Sequence, residues 1–232
     1  MANTLFLRLE GPLQAWGERA RWSVRDTASE PTKSGIVGLL GCALGLSADE
    51  DLRSLAGQIR VGVRVDRPGE RLTDYHTVTG GVMSAEGKVK KNATTKEPET
   101  VVSWRTYLCD ASFLAAVQGP GELIERLAEA VQDPHWPVYL GRKACPPARP
   151  VFEGVGDHTS LADALAGRPC RPQKAHETGE VDLRGVIEVE TGAGVRRRDE
   201  TGSNSRRIFL PRYTQDVSVH APVAPEEESA CT

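Results

Sequence analysis

Apolar and polar positions alternate along this chain in blocks that predict a sequence of strands and helices. Residues 4–9, TLFLRL, are apolar with Arg8 inserted and predict a first strand. A turn at Gly11-Pro12 leads into a polar-aromatic stretch through Trp16 and Trp22. Thr32 is placed to cap a helix that starts near Lys33 and runs through IVGLLGCAL to about Leu44. Its apolar surface extends all round, which predicts a buried helix. A short acidic helix is expected over Ala48 to Leu55. Ile59 to Asp66, IRVGVRVD, alternates and predicts a strand with one wet face.

Residues 80–100 change character. Gly80-Gly81 opens the segment, Lys88, Lys90, Lys91 and Lys96 follow, and large apolar groups are almost absent after Met83. This reads as an exposed hairpin or flexible loop inserted in the domain. Residues 102–117, VSWRTYLCDASFLAAV, predict a strand or bent strand pair. From Gly121 to Gln132, Leu123, Ile124, Leu127, Ala128 and Val131 fall on one stripe of an amphipathic helix. Val138 to Leu140 reads as a short strand, followed by the turn Gly141-Arg142-Lys143 and a proline-rich connection to Pro150. Residues 186–190 and 206–219 read as a strand pair around a charged loop, RRRDETGSNSRR. The acidic end of the chain reads as a disordered tail.

The order strand, helix, strand, insertion, strand, helix, strand fits a βαββαβ ferredoxin-like unit of the α+β class. RNA-recognition folds share that layout. The expected organisation is one domain over 1–220, with an insertion at about 77–102 and a tail at 221–232. The length of 232 residues suits one elaborated domain or two small ones, and 39% hydrophobic with 26% charged residues places the chain in the soluble globular class.

Charge narrows the picture. The formal net charge is −3 and the isoelectric point about 6.0, whereas a free-standing non-specific nucleic-acid binder is usually basic. A nucleic-acid site here has to be local. The five cysteines include no CxxC pair and are odd in number, which argues against a disulfide framework or zinc knuckle and for reduced thiols in a cytoplasmic protein. The segment MANTLFLRLEG shows no signal-peptide pattern. The longest apolar run, Ile36 to Leu46, is too short for a bilayer and carries three glycines, so no membrane association is expected.

Several catalytic signatures fail on inspection. Gly119-x-Gly121 before a helix suggests a dinucleotide turn, but position 124 is Ile and no acidic residue follows at the right place. The sequence lacks a P-loop and a GxSxG elbow. His76, His135, His158, His176 and His220 show no metal-ligand spacing, and Asp157-His158 has no partner ligands, so neither metal nor cofactor is expected.

Three patterns remain, each with a plain alternative. Asp74-Tyr75-His76 could cleave RNA without metal, one group taking the 2′-OH proton and another protonating the leaving oxygen; alternatively His76 stacks or bonds structurally. Gly141-Arg142-Lys143 is a glycine-flanked basic turn that suits phosphate, or a solvated loop. Arg19, Arg21, Arg25 and Lys33, interleaved with Trp16 and Trp22, suit single-stranded RNA, or are a core with arginines outside it.

Taken together, five blocks resemble one family. GPLQAWG (11–17), PTKSGIVGLLGCALGL (31–46), DYHTV (74–78), SWRTYLCDASF (103–113) and YLGRKACP (139–146) resemble the CasD subunits of type I-E Cascade CRISPR surveillance complexes, in the repeat-associated RNA-binding (RAMP) superfamily. The blocks occur in the family's order over roughly residues 3–155; beyond them the likeness is loose, mainly RIFLPRYT (207–214). The resemblance implies a ferredoxin-like palm with a protruding β-hairpin thumb. It implies that the palm holds the 5′ handle of a CRISPR RNA without cutting it, and that neighbours include the backbone subunit CasC, the large subunit CasA and target DNA. Handle-facing candidates carried over are Gln14, Trp16, Thr32, Lys33, Ser34, Tyr75, His76, Gly141, Arg142 and Lys143. The thumb candidates are Lys88, Lys90, Lys91 and Lys96, although the lysine-rich tip departs from the family pattern. A homologous subunit of a related subtype is itself a processing ribonuclease, which keeps a metal-independent endoribonuclease, through His76, as the alternative.

Overall fold

The computed structural model describes residues 2–17, 23–81, 83, 86–171, 179–203 and 208–224. In chain order the elements are β1 (Thr4–Glu10), β2 (Leu13–Gln14), β3 (Val24–Arg25), α1 (Lys33–Leu44), α2 (Asp49–Gln58), β4 (Arg60–Arg67), β5 (Glu70–Val78), β6 (Val101–Cys109), β7 (Ser112–Gln118), α3 (Gly121–Gln132), β8 (Phe152–Gly156), α4 (Leu161–Ala166), β9 (Glu180–Val189), β10 (Val195–Ser203) and β11 (Ile208–Pro222). Two sheets result. The larger is antiparallel with strand order β10-β11-β9-β4-β7-β1-β8. In the smaller, β6 pairs antiparallel with β5 and β2 and parallel with β3.

Local signals set the helices. Thr32 sits in extended conformation and its hydroxyl accepts the Gly35 N–H, which starts α1 where the sequence places it. Gly45 ends it with φ 73°, and a Cβ there would lie 2.8 Å from the His135 ring. The α3 stripe of Leu123, Ile124, Leu127, Ala128 and Val131 is buried as its spacing requires.

The core lies on both faces of the large sheet. Leu5, Leu7, Leu9, Val61, Val63, Phe113, Ala115 and Val117 face α1 and α3. On the other face Phe6, Leu114 and Ala116 pack against Leu161, Ala164 and Leu165 of α4 and against Val219. This double cover is why β7 reads as a continuous apolar run.

It also corrects β4. The alternation in IRVGVRVD does not mark a wet face: Arg64 is 0% exposed and Asp66 4%. Arg64 donates to Asp66 and to the carbonyls of Leu165, Arg168 and Pro169, while Arg8 pairs with Asp66 and Glu153. A buried charge is tolerated when it is paired and hydrogen-bonded in this way.

Three further expectations change. Val138 to Leu140 forms no strand; it is held by turns, with Leu140 N–H donating to the Cys145 carbonyl. The described part of the charged segment after Val195 is a strand, β10, because Asp199 and Arg212 meet as a buried pair across the sheet. β2, β3, β5, β8 and α4 are additions to the expected elements. Of the expected tail, Ala221 and Pro222 belong to β11, and 225–232 lie outside the described residues. No helix among the described residues is long and apolar enough to cross a membrane.

Candidate nucleic-acid interface

The residues expected to face RNA separate into an interior set and a surface set. Gln14 and Trp16 are interior, at 0% and 1% exposure. The Gln14 amide donates to the carbonyls of Leu9 (3.0 Å) and Ala111 (2.8 Å), and its oxygen accepts the Trp16 indole N–H at 3.0 Å. Every polar atom of the pair is therefore used in joining β1, β2 and the start of β7. In this conformation neither side chain presents a face to a base.

The start of α1 is likewise occupied by the protein itself. Free N–H groups and a positive dipole end favour an anion there. The anion is Asp199, whose carboxylate accepts the Lys33 N–H at 3.1 Å. Lys33 is 2% exposed, and its ammonium pairs with Glu188 (2.9 Å) and Glu200 (3.1 Å). Burial pushes the Asp199 carboxyl up. Hydrogen bonds and charge from Arg212, the Lys33 N–H and the charge of Arg197 outweigh it and hold the carboxyl below its usual range. Thr32 is buried by its capping role, and Ser34 is half-buried beside it, with hydroxyl oxygens 3.4 Å apart. Glu30 nearby accepts from Arg184 and Arg197. Burial raises its pKa, but the Ser29 hydrogen bond and these arginines bring it lower than usual overall.

The basic turn divides its two cations. Gly141 has φ 84°, and a Cβ there would lie 1.8 Å from the Ala15 carbonyl oxygen, so only glycine lets the turn close on β2's continuation. Arg142 donates to the carbonyls of Thr106 (3.1 Å), Arg25 (2.9 Å) and Asp26 (3.2 Å) and lies 4.7 Å over the Tyr107 ring. It staples the turn to β6 and β3. Lys143 is exposed and has no hydrogen bond or ion pair among the described residues. It stands at the rim of an apolar groove of about 730 Å³ bordered by Leu46, Trp136 and Tyr139.

The surface set lies on β5, β6 and the segment between them. Tyr75 is 60% exposed and His76 is half-exposed, with Nδ1 3.9 Å from Asp74. Trp104, which sequence reading did not single out, is 46% exposed and meets Tyr75 edge-on at 5.7 Å. A bend between β6 and β7 hides which side of SWRTYLC faces out until the sheet is built. Lys88, Lys90, Lys91 and Lys96 are all exposed. The segment is shaped by bridges Met83–Val89 and Lys91–Pro98 and by the Asn92 side chain, which accepts the N–H groups of Thr94 and Thr95. Arg19, Arg21 and Trp22 lie outside the described residues; Arg25 is half-buried in β3.

Among the described residues no group of three or more His, Cys, Asp or Glu side chains could hold a metal ion. A sequence profile described as "CRISPR-associated protein (Cas_Cas5)" matches residues 4–219. The chain belongs to this Cas5 family. Within it, the chain is 38% identical over 178 residues to the "CRISPR system Cascade subunit CasD" of Escherichia coli (strain K12), covering 71% of this chain and 76% of that one. Among solved structures it is similar to a chain of a "CRISPR RNA-guided surveillance complex" (TM-score 0.79, 29% identity, 97% of this chain and 95% of the other). It is also similar to one titled "Crystal structure of Cas protein" (TM-score 0.71, 36% identity, 96% and 99%). The Cas5 match runs from the start of β1 into β11, so the loosely resembling C-terminal third is matched by the family as well.

Proposed function

We propose that this chain is the Cascade subunit that holds the 5′ handle of the CRISPR RNA and does not cut it. The carrying observation is the near end-to-end likeness to a chain of an RNA-guided surveillance complex, joined to the 38% identity with CasD. The four strands β8-β1-β7-β4, with α1 and α3 on one face, supply a ferredoxin-like palm. β5, β6 and the segment between them supply the thumb.

On this reading Gln14, Trp16, Thr32, Lys33 and Arg142 act from within. They set the shape of the palm where its turns converge. Ser34, Gly141 and Lys143 line the handle path, with Lys143 taking phosphate. Tyr75 and His76 approach bases, and Lys88, Lys90, Lys91 and Lys96 reach the guide or target-DNA backbone, which fixes position without reading sequence. The backbone subunit CasC and the large subunit CasA cover much of the remaining surface, which suits a net charge of −3. The complex is cytoplasmic and needs no cofactor for this role.

The test is co-purification of the tagged chain with its sibling subunits, followed by sequencing of the bound RNA. A common repeat-derived 5′ end on the recovered RNAs is the expected result; recovery of the subunits without RNA overturns the reading. Labelled repeat RNA incubated with the isolated chain should stay intact with or without divalent metal. Discrete fragments from wild type, absent with His76→Ala, would replace the binding role by an endoribonuclease.

A further inference from the structure

Resting on that RNA-binding role, we infer that Val24, Trp104 and Tyr75 form a stacking row for unpaired RNA bases, with Trp104 as its central platform. Trp104 is the register partner of Tyr75 across the antiparallel β5–β6 pair and of Val24 across the parallel β3–β6 pair. Directly paired residues project from the same face of a sheet, so the three side chains stand in one line across three strands. All three are open to solvent: Val24 51%, Trp104 46% and Tyr75 60%.

The charge on this face is sorted. Its other members on β5 are Arg71, Thr73 and Thr77, and on β6 they include Val102 and Thr106. Thr73 and Thr106 bring their hydroxyls within 3.4 Å of each other. The two β5 carboxylates, Glu70 and Asp74, alternate to the opposite face, across from Cys109 and Arg105. A row of two aromatic rings and a valine, with neither β5 carboxylate on its face and fringed by hydroxyls and one arginine, offers ring faces to bases and donors to phosphates. The same two strands run on into the segment that carries Lys88, Lys90, Lys91 and Lys96. That continuity fits a strand of RNA better than a protein partner, whose interface core would be broader than three residues.

The experiment measures binding of a fluorescein-labelled, repeat-derived 5′ RNA to the full chain over a range of salt. Trp104→Ala should weaken binding about fivefold to 100-fold, the span expected for loss of one aromatic–base stack. Because stacking releases no counterions, the slope of log affinity against log salt should stay that of wild type. Trp104→Phe should recover most of the affinity. Zero-length photocrosslinks from 4-thiouridine RNA should map to β5 or β6. Unchanged affinity in Trp104→Ala overturns the row, as does a fall in the salt slope. Normal RNA affinity with failed incorporation into the complex would make the face a protein interface instead. Should wild type hold no CRISPR RNA even in the complex, the handle-binding role itself falls, and the row with it.

Discussion

At the residue scale, the two cations of the basic turn have opposite fates although they are adjacent. Arg142 spends its donors on three backbone carbonyls and its charge on the Tyr107 ring, whereas Lys143 stands in solvent. Their alanine variants should therefore separate. Arg142→Ala should cost about 1.5–3 kcal/mol of unfolding free energy in a urea titration, because charged hydrogen bonds to half-buried carbonyls are lost. Lys143→Ala should leave stability within about 0.5 kcal/mol and lower the salt slope of RNA binding by about 0.7, the value for one single-strand phosphate contact. A Lys143→Ala variant with the wild-type slope would make that side chain a solvated rim of the groove and nothing more. Gly141→Ala should be worse than either, at about 3 kcal/mol or more. It combines left-handed backbone strain with an overlap against the Ala15 carbonyl that no rotamer relieves.

At the scale of elements, what was legible in the sequence divides by range. α1 and α3 could be read to the residue, because a cap and a 3.6-residue stripe are local signals. β10 could not. Its Arg-Arg-Arg-Asp-Glu run has the composition of a loop, and only pairing with Arg212 and with the start of α1 makes it a strand. The same long-range contact removed a candidate site. The α1 N-terminus has the physics of a phosphate site, but Asp199 fills it from elsewhere in the chain, and no local pattern announces that. The interior placement of Trp16 beside the surface placement of Trp104 is a second case: residue type is the same, and only sheet pairing distinguishes them. The α1 clamp makes a pH prediction. Asp199 and Glu30 both have folded pKa values below their unfolded ones, near 3.9 and 4.3 for such groups. Their stabilisation is present above those unfolded values and is lost as pH falls through the folded ones. Wild-type unfolding free energy should hold down to about pH 4.5 and decline below it. Asp199→Asn should be destabilised at neutral pH, since Arg212 and Arg197 lose a shared counter-charge and the Lys33 N–H loses its anionic acceptor, and should decline less steeply in acid. Identical acid slopes in the two proteins would mean that Asp199 does not carry this dependence.

For the whole molecule, the arrangement places nearly all of the packing in one part and, among the described residues, most of the open lysines in another. Helices pack on both faces of the central strands of the large sheet. Between β5 and β6, by contrast, the described residues from 79 to 100 are exposed apart from the half-buried Gly81. That segment holds Lys88, Lys90, Lys91 and Lys96 against Glu86, Glu97 and Glu99, so it is mildly basic on a chain whose net charge is −3. Removing exposed side chains of a surface segment has little effect on folding, whereas removing cations that meet nucleic-acid backbone weakens a complex. Replacing residues 86–98 by a short Gly-Ser linker should then shift the thermal midpoint of the isolated chain by less than about 2 °C. The same variant, reconstituted with its sibling subunits and CRISPR RNA, should bind target DNA more weakly, with the loss growing smaller as salt rises, because screening already suppresses the wild-type contacts. A variant that unfolds early would make the segment part of the folding core. One that binds DNA as wild type does, at every salt concentration, would remove nucleic-acid contact from the thumb and leave its lysines to a protein neighbour.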